Sequence, residues 1–218
     1  DRIIFEGLNR ADVRFGRTER DLYIRLAGSA DSLTIQDFFV RDDARVESFE
    51  FQDDAPMSLG EVLVQLLEGT ELDDQLIGYD SGDSLAGNEG NDTILGMGGD
   101  DTLAGGAGKD TLDGGAGNDS YLFNLGDGDD VVLDSGDTLE LDRIVLGPDV
   151  LPADVIVSRD DEGLVLYFRN SGEQISLPGW YGPGAPSIEQ LVFDDGTVWS
   201  ADQLTALAAV VPTATEGD

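Results

Sequence analysis

Cysteine and histidine are both absent from this 218-residue chain, and only 12 Lys and Arg face 46 Asp and Glu, for a formal net charge of −34. Each absence excludes something. Without Cys or His there is no zinc site of the usual kind, no disulfide scaffold, no thiol nucleophile and no imidazole base. The shortage of positive charge argues against nucleic-acid phosphates and anionic membrane as partners. No apolar run approaches the ~18 residues of a spanning helix, so no transmembrane segment is expected. The chain starts at Asp1-Arg2-Ile3-Ile4, without Met or a signal peptide, and reads as a piece of something longer. Its length allows one or two domains, and a hydrophobic content of 40% is enough for a folded core.

The charge divides the chain. Residues 1–68 carry 15 acids and 8 Arg, residues 69–122 carry 12 acids and a single Lys109, and residues 123–218 carry 19 acids and 3 Arg. The middle stretch also holds 14 of the 29 glycines, a composition that alone would suggest a linker. Its period says otherwise. Six nine-residue blocks follow without a gap, starting at Gly69, Gly78, Gly87, Gly96, Gly105 and Gly114. Position six is always Asp (Asp74, Asp83, Asp92, Asp101, Asp110, Asp119), and position eight is always apolar or aromatic (Leu76, Leu85, Ile94, Leu103, Leu112, Tyr121). Glycines at positions one, two and four are expected to supply positive φ and tight turns where the backbone approaches a ligand. Residues seven to nine then form a short strand with the middle side chain inward.

Stacked coils place equivalent positions about 4.8 Å apart, so the Asp carboxylates line up in rows. Two such charges at an effective dielectric of ~20 repel by about 3 kcal/mol, and the stretch needs cations to fold. Carboxylates with exposed glycine carbonyls make an all-oxygen site, which suits a hard cation, and flexible geometry favours calcium over magnesium.

With its pattern G-G-x-G-x-D-x-U-x, the stretch 69–122 resembles the calcium-binding parallel β-roll of the RTX (repeats-in-toxin) family, proteins exported by Gram-negative type I secretion systems. The resemblance implies that alternate turns lie on two sides of a flattened roll. Calcium would be held between turns n and n+2 by both position-six Asp side chains and by loop carbonyls, here those of Gly90, Gly99, Gly106, Gly108, Gly115 and Gly117. The implied pairs are Asp74/Asp92, Asp83/Asp101, Asp92/Asp110 and Asp101/Asp119, giving about four Ca²⁺ sites. A half-motif, Gly126-Asp127-Gly128-Asp129-Asp130-Val131-Val132, resumes after the insertion Phe123-Asn124 and would pair Asp130 with Asp110 as a fifth. Leu72 and Ser81 replace the fourth-position Gly, and Met97 a second-position Gly, so the N-terminal sites are expected to be the weaker ones.

The two flanks repeat each other at an offset of 142: Asp12-Val13 aligns with Asp154-Val155, Phe38-Phe39 with Trp180-Tyr181, and Val46–Phe51 with Ile188–Phe193. Asp1-Arg2-Ile3-Ile4 matches Asp142-Arg143-Ile144-Val145 after a one-residue shift. Alternating apolar residues suggest four or five strands per copy, and the capping boxes Ser58-x-x-Glu61 and Ser200-x-x-Gln203 open a closing helix in each. The C-terminal copy also resembles the β-rich segment that follows RTX repeats, through Ser187–Thr197. The expected fold is all-β: an N-terminal flanking unit at 1–68, a β-roll at 69–141 and a C-terminal flanking unit with tail at 142–218. Flanks that cap open roll ends fit such an array, in which this chain would be one unit of a longer alternation.

The expected function is a calcium-triggered folding module of a type I-secreted RTX protein, whether toxin, adhesin or exoenzyme, unfolded in the cytosol and folding outside from its C-terminal end. Its partners would be calcium ions, adjacent blocks of the same polypeptide and the secretion apparatus; it would be extracellular, monomeric and not an enzyme. The alternative is a calcium-dependent ligand-binding module, an adhesin or a carbohydrate binder using Trp180-Tyr181 as a stacking platform. Asp42-Asp43, Asp160-Asp161 and Asp194-Asp195 fall in turn-like contexts rather than in a glycosidase-like pair. Arg10, Arg14, Arg17, Arg20 and Arg25 are expected to form surface ion pairs or an interface with a partner. The tail 211–218 reads as a linker, with a terminal secretion signal as the alternative.

Overall fold

The computed structural model describes residues 1–40, 46–52, 54–135, 140–182 and 188–209. Asp42-Asp43, Ser187 and the tail 211–218 lie outside them. The chain divides into two compact units, Asp1–Glu68 and Gly69–Asp218.

The first unit contains β1 (Arg2–Ile4), β2 (Val13–Arg17), β3 (Leu22–Leu26), β4 (Ser32–Ile35), β5 (Ser48–Glu50), β6 (Met57–Ser58) and α1 (Leu59–Gln65). β2, β3 and β4 form an antiparallel meander; β5 pairs parallel with β1 and antiparallel with β6. The period-two pattern sends Leu22 and Ile24 of β3 into a core with Val13, Phe49, Met57 and Val62. Helix α1 starts where the sequence predicts. The Ser58 N–H donates to Glu61 Oε2 at 2.7 Å and the Glu61 N–H to Ser58 Oγ at 3.3 Å.

The second unit begins with the roll. Its strands are β7 (Gln75–Ile77), β8 (Ser84–Glu89), β9 (Thr93–Leu95), β10 (Thr102–Ala107), β11 (Thr111–Asp113), β12 (Ser120–Phe123) and β13 (Asp129–Val132). Odd and even strands separate into two parallel stacks, as alternation of the nonapeptides requires. Registers of Leu85, Leu103 and Tyr121 on one side, and Leu76, Ile94, Leu112 and Val132 on the other, stack the position-eight side chains into buried columns.

The remaining elements are β14 (Asp142–Leu146), β15 (Val155–Arg159), β16 (Gly163–Phe168), β17 (Gln174–Pro178), β18 (Ile188–Val192), β19 (Val198–Ser200) and α2 (Ala201–Ala208). No break in the sheets accompanies the boundary expected after residue 141. β14 pairs parallel with β12 and β18 with β14, while β17 pairs parallel with β13, so both stacks run on into the C-terminal flank. The physical reason is the inward column. Ile144 and Leu191 follow Tyr121 in register and are fully buried, as is Ile175 beyond β13.

The two flanks share one topology. β14–β18–β19 repeats β1–β5–β6, and β15–β16–β17 repeats β2–β3–β4. The registers coincide at the 142-residue offset: Val13 faces Leu26 as Val155 faces Phe168, and Ser48 faces Ser58 as Gln190 faces Ser200. The fold is thus an all-β parallel roll with two homologous β-rich flanking units, each ending in a short helix.

Candidate metal centre

The position-six aspartates form two ladders through their own backbone. Oδ1 of each accepts the N–H of the Asp two turns earlier: Asp92 from Asp74 (2.7 Å), Asp110 from Asp92 (2.8 Å) and Asp130 from Asp110 (2.9 Å) on one side. On the other, Asp101 accepts from Asp83 (2.7 Å), Asp119 from Asp101 (2.8 Å) and Asp142 from Asp119 (2.7 Å). Asp142 lies outside the nine-residue repeat. Phe123–Leu141 breaks the nine-residue period, so spacing alone does not reach it. The shifted match between Asp1 and Asp142 was the available signal.

The second oxygen of each carboxylate is the informative one. Oδ2 of Asp92, Asp101, Asp110, Asp119 and Asp142 is buried without a hydrogen-bond partner. Asp74 and Asp83 differ: their Oδ2 atoms accept from the Thr70 and Tyr79 N–H groups of their own turns, both at 2.6 Å. An ionised carboxylate buried with a bare oxygen is costly unless it is paired or coordinated. Burial pushes the Asp101, Asp130 and Asp142 carboxyls up to about 7 and those of Asp110 and Asp119 up to about 6, with neighbouring carboxylates adding to the rise. Asp92 moves the same way, chiefly through burial. Lys109 is the one cationic side chain in residues 69–122, and its Nζ lies 3.3 Å from Asp129 Oδ2. Residues 69–122 thus supply one cation for their 12 acids.

The glycines fit that requirement in two ways. Gly90, Gly99, Gly106, Gly108, Gly115 and Gly117 all have positive φ, as expected of turns in the loops. A Cβ at Gly106 would strike the Asn88 carbonyl oxygen, and one at Gly117 that of Gly99, so loop carbonyls of alternate turns pack backbone to backbone. The position-one glycines behave differently from expectation, for none of them has positive φ. They are required for close approach instead: a Cβ at Gly87, Gly96, Gly105 or Gly114 would overlap Oδ2 of Asp92, Asp101, Asp110 or Asp119, respectively. Met97 and Asn88 hold left-handed φ of 80° and 76° at position two without being glycine, at about 1–2 kcal/mol for Met97 and less for Asn88, since asparagine enters that region more readily.

Two further features are not signalled by the nine-residue pattern. Position five carries its own ladder: Asp73 Oδ1 accepts from the Asn91 N–H (2.7 Å), Asn91 Oδ1 from the Lys109 N–H (3.0 Å) and Asp100 Oδ1 from the Asn118 N–H (2.9 Å). At the C-terminal end of the roll, carboxylate oxygens of Asp119, Asp134 and Asp142 lie within 4.8 Å of one another and all three residues are buried. The Tyr121 hydroxyl donates to Asp134 Oδ1 (3.2 Å) and accepts from the Gly114 N–H (2.8 Å). These residues offer oxygen alone, the donor set of a hard cation such as calcium.

The other candidate groups are engaged locally. Trp180 is half-buried, its Nε1 donating to Thr205 Oγ1 on α2 at 2.9 Å, and the Arg159 guanidinium covers the Tyr181 ring at 4.2 Å. Tyr181 itself is 39% exposed. Its counterpart repeats the arrangement, with Arg17 4.1 Å over Phe39. Asp160 Oδ1 accepts from the Gly163 N–H and Asp195 Oδ1 from the Thr197 N–H, so both cap turns. Arg20 pairs with Asp37 at 2.6 Å, Arg25 stacks on Tyr23, and Arg14 donates to the Ala11 carbonyl. Among the described residues no helix is long and apolar enough to cross a membrane.

Family models match both the repeat and the flanks. The RTX calcium-binding nonapeptide repeat (4 copies) matches residues 68–103, 86–121 and 95–132. The haemolysin-type calcium binding protein related domain matches 21–53 and 164–203, once in each flank. Among solved structures, the AlgE6R3 subunit of the Azotobacter vinelandii mannuronan C5-epimerase is similar at 27% identity, covering 69% of this chain and 92% of that one, with a TM-score of 0.45. The extracellular lipase LipA of Serratia marcescens is similar at 18% identity, covering 93% of this chain and 32% of that one, with a TM-score of 0.41. No curated protein matches the chain.

Proposed function

We propose, from the premise that this chain belongs to the RTX calcium-binding repeat family, that it is a calcium-triggered folding module of a protein exported by type I secretion. The observation that carries this reading is the set of five buried, unpartnered Oδ2 atoms on Asp92, Asp101, Asp110, Asp119 and Asp142. Calcium held there would neutralise the rows, with Asp74, Asp83 and Asp130 and the loop carbonyls of Gly90, Gly99, Gly106, Gly108, Gly115 and Gly117 completing the shells. Extracellular modules bind calcium at ~10⁻⁴–10⁻³ M, far above cytosolic levels. Inside the cell the acidic chain would stay open and thread a channel; outside, calcium would bind only the folded state and stabilise it by mass action. The role is structural rather than catalytic.

Circular dichroism and hydrodynamic radius test the reading. In chelator the chain should be largely disordered and expanded; millimolar calcium should convert it cooperatively to compact β structure, and equal magnesium should not. Full β content in chelator would refute it. Glycan-array binding in saturating calcium would instead favour a ligand-binding module.

A further inference from the structure

The two flanks share a topology, and the C-terminal one carries the end of the roll. In the C-terminal flank, the edge strands β14 and β17 accept the last coil through parallel pairing with β12 and β13. Their counterparts in the first unit are β1 and β4. Among the described residues, β1 pairs with β5 alone and β4 with β3 alone, so the edges that bear a roll in one copy are bare in the other. Side chains record the same difference. Leu33 of β4 is 48% exposed, whereas its counterpart Ile175 is 0% exposed beneath the roll. Ile4 is 52% exposed where Val145 is half-buried, and Ile35 is half-buried where Leu177 is fully covered.

The carboxylate ladder is prepared as well. At the top of the roll, Asp142 donates its N–H to Glu189 Oε2 at 2.7 Å and receives the Asp119 N–H on Oδ1. In the first unit Asp1 and Glu47 occupy the positions of Asp142 and Glu189, and the Asp1 side chain is exposed.

We infer that the β1 and β4 edges of the first unit are a docking surface for the last coil of a nonapeptide roll, joined ahead of Asp1 as residue 141 is joined to Asp142. Parallel strands would add to β1 and β4, Leu33 and Ile4 would be covered, and Asp1 Oδ1 would become the final rung of that roll's ladder. Bare parallel edges with apolar side chains invite such augmentation.

The inference rests on calcium-dependent folding of the roll, and one experiment separates the two. The full chain is extended ahead of Asp1 by a duplicate of residues 69–141, isotope-labelled only in the extension, and amide spectra are recorded in millimolar calcium. A dispersed β spectrum from the extension, collapsing on Leu33→Arg while calcium-induced circular dichroism of the unextended Leu33→Arg chain matches the parent, is the expected result. An extension that stays disordered while the internal roll folds, or one that orders equally with Leu33→Arg, would overturn the inference. If the internal roll also stays unfolded, the folding reading fails first and the docking surface fails with it. The same 69–141 segment added as a separate molecule should not order; ordering in trans would show that covalent continuity is not what the surface recognises.

Discussion

The backbone N–H of Asp119 donates to Oδ1 of Asp142 at 2.7 Å across 23 residues of sequence, the same bond that joins Asp101 to Asp119 across 18. A carboxylate that receives a backbone donor on one oxygen and buries the other without a partner is held in place but not neutralised. Removal of different rungs should therefore have unequal effects.

Asp110→Ala should raise the calcium midpoint of folding by about tenfold or more, the ratio that ~1.4 kcal/mol corresponds to. It deletes a rung whose Oδ2 is bare and whose Oδ1 holds the Asp92 N–H. Asp74→Ala should matter less, since Oδ2 of Asp74 is already satisfied by Thr70. A circular-dichroism titration of the two variants decides this, and an equal or larger shift for Asp74→Ala contradicts the assignment.

Asp142→Ala should behave like Asp110→Ala although it lies outside the nine-residue period. Its Oδ2 is bare, and it stands beside Asp119 and Asp134. A midpoint unchanged from the parent would remove Asp142 from the ladder.

Gly105→Ala should destabilise the calcium-loaded roll by about 1–3 kcal/mol through overpacking, because the new Cβ falls on the Asp110 side chain. Gly98→Ala is the control. Its nearest neighbour would be the Ala116 carbonyl oxygen at 3.8 Å, and it should stay within about 0.5 kcal/mol of the parent. Denaturant titration in saturating calcium reads both.

Acid should partly replace calcium. The ladder carboxyls are raised from the usual 3.8, to about 7 for Asp101, Asp130 and Asp142 and about 6 for Asp110 and Asp119. An acid whose folded value is raised adds stability that is full below its unfolded value and lost as pH rises through the folded one. Without calcium, β content should therefore increase as pH falls from about 8 to about 5. Circular dichroism that stays flat over that range would show that the buried carboxyls do not limit the metal-free fold.

Deleting residues 146–218 should abolish calcium-induced folding at physiological calcium, whereas deleting 1–66 should only lower stability. The first removes β17 and β18, which pair with β13 and β14; the second leaves β7 to β19 intact. Nucleation is the costly step in a one-dimensional array, and an existing end is the cheaper template. Calcium titration of the two truncations checks the order, and a more damaging N-terminal deletion would place the nucleus elsewhere.

Much of this was legible in the residues. Asp at position six and an apolar side chain at position eight of each nine-residue block mark the repeat, the RTX resemblance implies its two sides, and the 142-residue offset gives two copies of one flank. Ser58 and Ser200 mark both helices. What spacing could not show is the continuation of the roll through β14, β17 and β18, because their partners lie 23 to 47 residues away and parallel pairing leaves no local turn signature. Nor does a glycine reveal its reason in the sequence. Gly106 combines a positive φ with close approach to the Asn88 carbonyl, while Gly105 needs room for the Asp110 carboxylate, and the two cases read alike in a sequence.

The central claim is that calcium sits against the bare Oδ2 atoms of the ladders. The most direct measurement is an anomalous difference map from crystals of the full chain grown in calcium. Peaks at about 2.3–2.6 Å from Oδ2 of Asp92, Asp101, Asp110, Asp119 and Asp142 are predicted. A folded roll whose ladder oxygens have no such peak beside them would contradict it.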